Sequence, residues 1–227
     1  MTAAVIVAAG QGLRMGSAKP KQFLPLGGKS ILVHTLEMFL SCSDISPIIL
    51  VVAKEDCAAI HSLLSPLHPS HTRIEVVTGG SCRQASVFNG LQAIDAREGI
   101  VLIHDGVRPL VSKGLIEACI QGARQWGACI PALAVSDTLK RVDEDDMVDS
   151  TADRQGLRWV QTPQAFELSL IRRAHQRAAA EHWQVTDDAS LVECLGGKVK
   201  VIPGEVENIK ITTPQDLRLA EALLKTK

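Results

Sequence analysis

Three glycines and three cations share one loop: Gly10, Gly12 and Gly16, interleaved with Arg14, Lys19 and Lys21. They follow the apolar run Ala3 to Ala8, which reads as a short strand buried on both faces. Glycines let a backbone approach a ligand closely and turn its N–H groups inward, and the cations add positive charge. A chain builds a phosphate cradle in this way at the carboxyl end of a first strand.

Gly10-x-Gly12 after a strand also opens dinucleotide-binding folds. Two features argue against a dehydrogenase. Arg14 and Lys21 stand where such a fold would enter an uncharged helix start, and the second strand ends Val-Val-Ala-Lys54 without the expected acidic residue. A Walker loop fails because no Gly-Lys-Ser/Thr follows, and His-x-Gly-His is absent too. The cations suit transfer of a nucleotidyl group onto a phosphate monoester, where the work is neutralising charge around the α-phosphate. That chemistry needs no strong base, since a phosphate with a second pKa of about 6 is already largely a dianion at neutral pH. The lack of an obvious catalytic histidine fits.

The elements that must position these residues alternate. Ser30 caps a helix from Ile31 to about Leu40, Pro47 to Ala53 is a second buried strand, and Glu55 to Leu64 a second helix. Ile74 to Val77 is a strand ending in Thr78-Gly79-Gly80-Ser81, with a helix from Arg83 to Ile94 after it. Ile100 to His104 is a strand ending in Asp105-Gly-Val-Arg-Pro109, and Ser112 caps the next helix. Ala128 to Val135 is a fifth strand. Strand–helix alternation predicts an α/β fold with a mostly parallel sheet covered on both faces, binding its ligand at the carboxyl ends of the strands.

The alternation breaks between Ser136 and Gln161. Asp-Thr-Leu-Lys-Arg141, an acidic turn Asp143 to Asp146, and Met147 to Thr151 read as a polar β-hairpin with little apolar mass. Such an arm should project, and with Trp159 near its return it is a candidate for gripping a second subunit. Helices then cover about Glu167 to Ala180 and Asp187 to Leu195, and Lys198 to Ile202 is a strand. In the final helix Thr213 caps, Pro214 takes the first position and Asp216 the first turn. Residues 1–227 are expected to form one domain plus this arm.

The bulk numbers agree. The 227 residues are 46% hydrophobic and 22% charged with a net charge of −1, so nothing global points to nucleic acid or a membrane surface. With no basic leader and no apolar run of spanning length, a cytoplasmic location is expected. Cys42, Cys57, Cys82, Cys119, Cys129 and Cys194 show no paired spacing, so no disulfide framework is expected. His61, His68 and His71 lack an accompanying Cys or carboxylate, and a solvated loop is the simpler reading than a metal site.

Taken together, the segments Ala8 to Gly16 with Pro20-Lys-Gln22, Gly79-Gly-Ser-Cys-Arg-Gln-Ala-Ser-Val87 and His104-Asp-Gly-Val-Arg-Pro109 resemble the nucleotide half of one family. Asp137 to Arg141, Asp153 to Gly156, Gln161-Thr-Pro-Gln164, Val185-Thr-Asp-Asp-Ala189 and Asn208-Ile-Lys-Ile resemble its other half. The family is 2-C-methyl-D-erythritol 4-phosphate cytidylyltransferase of the non-mevalonate isoprenoid pathway, and the resemblance runs nearly end to end. It implies a Rossmann-like nucleotidyltransferase that is homodimeric and Mg²⁺-dependent, joining CTP to methylerythritol phosphate with release of pyrophosphate.

By position, the resemblance implies that Arg14 and Lys21 stabilise the transition state. Ala8, Ala9, Gly10, Gln11, Gly12, Gly80, Ser81, Ser86 and Gly106 would hold the nucleotide. Asp105 and Arg108 would face the methylerythritol moiety and the metal region. Arg154 and Lys210 would place the attacking phosphate, helped by Thr162 and Thr186, with Thr138 and Arg154 supplied by the partner's arm. Ser81 stands where the family often has Asp, and Gly106 where Ala is common. A cytidylyltransferase for another polyol phosphate, such as ribitol 5-phosphate, is the rival enzyme; a binding protein without turnover would be expected to lose Lys21 or Arg14.

Overall fold

The computed structural model describes residues 1–10, 19–67 and 72–226. In chain order, strand β1 (Thr2–Ala8) is followed by a small hairpin, β2 (Pro25–Leu26) and β3 (Lys29–Ser30), helix α1 (Ile31–Leu40), β4 (Ile45–Val52) and α2 (Cys57–Leu64). Next come β5 (Ile74–Thr78), α3 (Arg83–Gln92), β6 (Ile100–Asp105), α4 (Lys113–Trp126) and β7 (Ala128–Ala134). The arm contributes β8 (Leu139–Val142) and β9 (Val148–Ala152). The chain then forms β10 (Arg158–Val160), β11 (Gln164–Glu167), α5 (Leu168–Glu181), α6 (Asp188–Cys194), β12 (Lys200–Pro203) and α7 (Pro214–Leu224).

Among the described residues the main sheet has eight strands, and β5, β4, β1 and β6 lie side by side in parallel. β1 is buried on both faces, as its unbroken apolar run requires. Ala4, Ile6 and Ala8 face a core with α1, α2 and α4, while Ala3 and Val5 face one with α3, α5 and α6. The helix starts follow the side-chain chemistry read from sequence. Ser30 accepts from Val33 N–H, Ser112 from Leu115 N–H, and Thr213 forms a capping box with Asp216.

The far side of the sheet departs from the expectation of a simple parallel order. β11 was not expected, and it inserts antiparallel between β6 and β7. Ala132 of β7 pairs with Val160 on one side and Pro203 on the other; Cys129 likewise pairs with Ala165 and Lys200. β10 and β11 therefore run along one edge of β7 as a single strand interrupted at 161–163, with β12 parallel along the other edge. Four residues, Gln-Ala-Phe-Glu, are too few to carry a period, so only the neighbours β6 and β7 make them a strand.

The arm is shorter than its expected span of 136–161. β8 and β9 form their own two-stranded sheet, but Arg158 to Val160 has already rejoined the main sheet against β7. No helix among the described residues is long and apolar enough to cross a membrane. His68 and His71 lie outside the described residues, which hold no cluster of three or more His, Cys, Asp or Glu side chains suited to a metal ion.

Candidate active site

A cleft of about 810 Å³ opens at the carboxyl ends of β1, β4, β5 and β6, where parallel sheets bind their ligands. Ala8, Ala9, Gly10, Gly80, Ser81 and Ser86, expected to hold a nucleotide, line it together with Lys21, Asp105 and Lys210, expected to serve phosphate chemistry. Gln11, Gly12 and Arg14 lie outside the described residues.

Local contacts explain how the lining is held. Lys21 sits in a single 3₁₀ turn, Lys21–Phe23, and the next residue, Gln22, is buried with its amide donating to Ala8 O at 2.8 Å. That bond ties the cation's turn to the end of β1. On the opposite wall Gly79 N–H donates to Val52 O at 2.8 Å. A Cβ on Gly79 would stand 2.6 Å from Ala9 Cβ and 2.9 Å from Ser86 Oγ, so only glycine lets these two loops meet. Ser86 Oγ accepts from Gly80 N–H at 3.0 Å and donates to Cys82 O at 2.9 Å. Its hydroxyl is thereby committed to shaping the loop around Gly80 and Ser81.

Asp105 forms the floor. Its Oδ2 lies 2.8 Å from Lys210 Nζ and 3.7 Å from Arg108 Nε, and its Oδ1 accepts from Arg83 Nε at 3.2 Å. Burial alone would raise this carboxyl, but Arg83, then Lys210 and Arg108, hold it well below the usual carboxylate range. Asp105 is thereby buried among three of the site's cations, Arg83, Arg108 and Lys210. Its placement reads off β6, whose last residue it is, because that strand is buried along its whole length.

Beneath Asp105 the hydrogen bonds have a single consistent direction. Asp105 N–H donates to Thr162 Oγ1 at 3.1 Å, and Thr162 Oγ1 lies 3.0 Å from His104 Nδ1. His104 Nε2 lies 3.2 Å from Arg108 O, a carbonyl that can only accept. His104 therefore carries its proton on Nε2, and the Thr162 hydroxyl donates to Nδ1. Thr162 and His104 set the 104–108 turn from below. The interruption between β10 and β11 is what puts Thr162 at the end of β6.

His104 is fully buried, and burial pushes its pKa down to about 3. An unfolded histidine takes up its proton at about pH 6.5. Between those values only the unfolded chain binds the extra proton, so stability falls as pH is lowered through the window, at up to about 1.4 kcal/mol per unit. Urea unfolding of the wild type should show this decline. His104→Gln, which keeps a donor for Arg108 O, should flatten it between about pH 6.5 and 4.5; an unchanged slope would place the proton uptake on another group.

Three other expected residues lie behind the cleft wall rather than on it. Arg108 is buried and donates through Nη1 to Asn208 O at 2.7 Å. Thr162 is buried in the turn just described. Gly106 is buried with N–H donating to Val7 O and its carbonyl accepting from Thr35 Oγ1. A Cβ there would meet Ala8 Cβ, Leu32 Cδ1 and Val7 O at 3.2 Å each, so an alanine at this position would need small shifts in its neighbours. Thr186 is exposed and does not line the cleft. Thr138 and Arg154 are exposed on the arm, with Arg154 donating to Ser136 O, and neither reaches the cleft of its own chain.

Sequence reading gave no role to Arg83, Gln22, Asn208 or Asp188. Arg83 lies inside the glycine-rich run that was singled out, and a cation at the first position of α3, against the helix dipole, was the available signal. Asn208 Nδ2 donates to Thr162 O at 2.8 Å and Ile211 N–H to Val107 O at 2.9 Å. The 208–211 segment is thereby fastened beside the 105–108 turn, with Lys210 over Asp105. No local spacing marks such a contact across about a hundred residues.

A first parallel strand running into Gly10, a glycine pair at Gly79 and Gly80 packed against Ala9, and cations around one carboxylate fit an α/β nucleotidyltransferase. The comparisons agree. The sequence profile of 2-C-methyl-D-erythritol 4-phosphate cytidylyltransferase (IspD) matches residues 2–226. The chain belongs to that family. It is 48% identical to the enzyme of that name from Syntrophotalea carbinolica, over 98% of this chain and 95% of the relative. The Bacillus velezensis protein of the same name is 46% identical over 97% and 94%. A crystal structure of 4-diphosphocytidyl-2C-methyl-D-erythritol synthase from Anaerococcus prevotii superposes with a TM-score of 0.86 at 38% identity, covering 99% and 98%. The Thermus thermophilus 2-C-methyl-D-erythritol 4-phosphate cytidylyltransferase does so at 0.81 and 36%, covering 99% and 100%.

Proposed function

We propose that the cleft transfers CMP from CTP to 2-C-methyl-D-erythritol 4-phosphate, giving 4-diphosphocytidyl-2-C-methyl-D-erythritol and pyrophosphate. This is the reaction of the family to which the chain belongs. The observation that carries the residue roles is the grouping of Lys21, Arg83 and Lys210 in one cleft with the glycine loops. A phosphate oxygen of the acceptor attacks the α-phosphorus, and the bond from that phosphorus to the bridging oxygen of pyrophosphate breaks. The attacking group is already an anion, so no residue has to remove a proton. Lys21, with Arg14, neutralises charge growing on the α-phosphate; Lys210 holds the acceptor phosphate; the backbone around Ala8 to Gly10 and Gly80 to Ser81 holds the nucleotide.

The donor set fits Mg²⁺, which is commonly held by one or two carboxylates together with substrate phosphates and water. Asp105, which lines the cleft together with Glu55, would hold the ion, and the ion would draw charge from the phosphate oxygens. Lys210 now on Asp105 Oδ2 would then turn to the acceptor phosphate.

The active assembly is proposed to be a homodimer whose arms exchange, bringing Thr138 and Arg154 to the partner's cleft. Six of the eleven exposed large apolar side chains among the described residues lie on or beside the arm: Val142, Met147, Val148, Leu157, Trp159 and Val160. Val142, Met147 and Val148 stand on the arm and the other three beside it, apolar side chains that a second subunit would cover.

Pyrophosphate release tests the reaction. CTP with methylerythritol phosphate should be turned over, ribitol 5-phosphate should serve poorly, and UTP should be rejected, because fixed acceptors meet an acceptor where cytosine has its amino group. Equal specificity constants for the two acceptors, or for CTP and UTP, would overturn the assignment.

A further inference from the structure

The strongest arrangement left unused by this reaction scheme runs out of the cleft through Arg83. Its Nε donates to Asp105 Oδ1 at 3.2 Å, and its Nη1 donates to Asp188 Oδ2 at 2.7 Å. Asp188, the first residue of α6, is 1% exposed, and its other oxygen lies 3.1 Å from His175 Nε2 on α5. The His175 ring in turn stacks on Phe88 of α3, with centroids 5.8 Å apart and planes 3° from parallel. Gln164 Oε1 accepts from the N–H groups of both Asp188 and Ala189, which pins the start of α6 to β11. Burial would raise the Asp188 carboxyl, but Arg83 and the His175 hydrogen bond outweigh it and keep it ionised.

Two observations say that this pair does more than tie helices together. A buried ion pair is a poor way to do so, because desolvation offsets most of its attraction. Arg83 also stands at the first position of α3, where the helix dipole disfavours a cation. A guanidinium has five N–H donors in a rigid plane. Two are used on the carboxylates, which fixes its plane, while Arg83 lines the cleft with its side chain 29% exposed.

We propose that Asp188 is a positioning residue of the transfer reaction, orienting Arg83 so that it aligns Asp105 and presents its remaining donors to the triphosphate. Arg83 is then a direct anion ligand, and Asp188 acts only through it. The inference rests on the cytidylyltransferase reading above.

The test is a double-mutant cycle of Asp188→Asn and Arg83→Lys, read by pyrophosphate release and by thermal unfolding. Lysine cannot span both carboxylates, and asparagine keeps the size of Asp188 without its charge. Each single variant is expected to lose about tenfold or more in kcat, the scale for a misaligned charged donor. The double variant should be no worse than Arg83→Lys alone, because the two act as one unit. Losses that multiply, or an Asp188→Asn chain with lowered Tm and intact kcat, would reduce Asp188 to a structural contact. If Asp188→Asn does not fold, Arg83→Lys at a half-buried site decides: unchanged kcat overturns the proposal. A wild-type chain that releases no pyrophosphate would instead sink the cytidylyltransferase reading.

Discussion

Lys21→Ala is expected to lower turnover by a factor of order 10² or more, with Michaelis constants changed less. Lys21 lies at the cleft wall where its turn is tied to the end of β1 by the buried Gln22 amide. A cation held this way is oriented before substrate arrives, so its attraction for phosphate oxygens costs little reorganisation. The charge it meets grows as the α-phosphorus becomes pentacoordinate, so its contribution is larger in the transition state than in the bound substrate. Steady-state kinetics decide. Intact turnover with raised Michaelis constants would make Lys21 a ground-state ligand. Thermal unfolding should be nearly unchanged, because Lys21 is only half-buried and Gln22 keeps its own bond.

Mixing an Arg154→Ala chain with a Lys21→Ala chain is expected to restore activity that neither homodimer has. Arg154 is exposed on the arm, outside the cleft of its own chain, and the arm's apolar side chains want a cover. In the proposed homodimer the arm of one subunit would meet the cleft of the other across a two-fold axis. A heterodimer then has one centre lacking both groups and one with both intact. Random exchange of equal amounts makes half of the dimers mixed, so the pool reaches up to about a quarter of wild-type activity. No recovery, with exchange confirmed by native mass spectrometry, would place Arg154 outside any site.

By itself the sequence determined the elements whose cause is local. The unbroken apolar runs of β1, β4 and β6 require strands covered on both faces, Ser30, Ser112 and Thr213 mark helix starts, and glycine loops at strand ends mark the ligand edge. Gly10 and Lys21 were singled out by their own types and short spacing, Ala8, Ala9, Gly80 and Asp105 through the family resemblance, and all six line one cleft. Tertiary structure alone decided the rest. β11 exists because two neighbouring strands offer it hydrogen bonds, and the break before it sets Thr162 under Asp105. Arg108 turned inward because Asn208 O, a hundred residues away, accepts from it. Arg83 became the hub between Asp105 and Asp188 for a like reason. A buried charge is tolerable only where its partners converge, and that convergence is a property of the packed sheet and helices rather than of any stretch of chain.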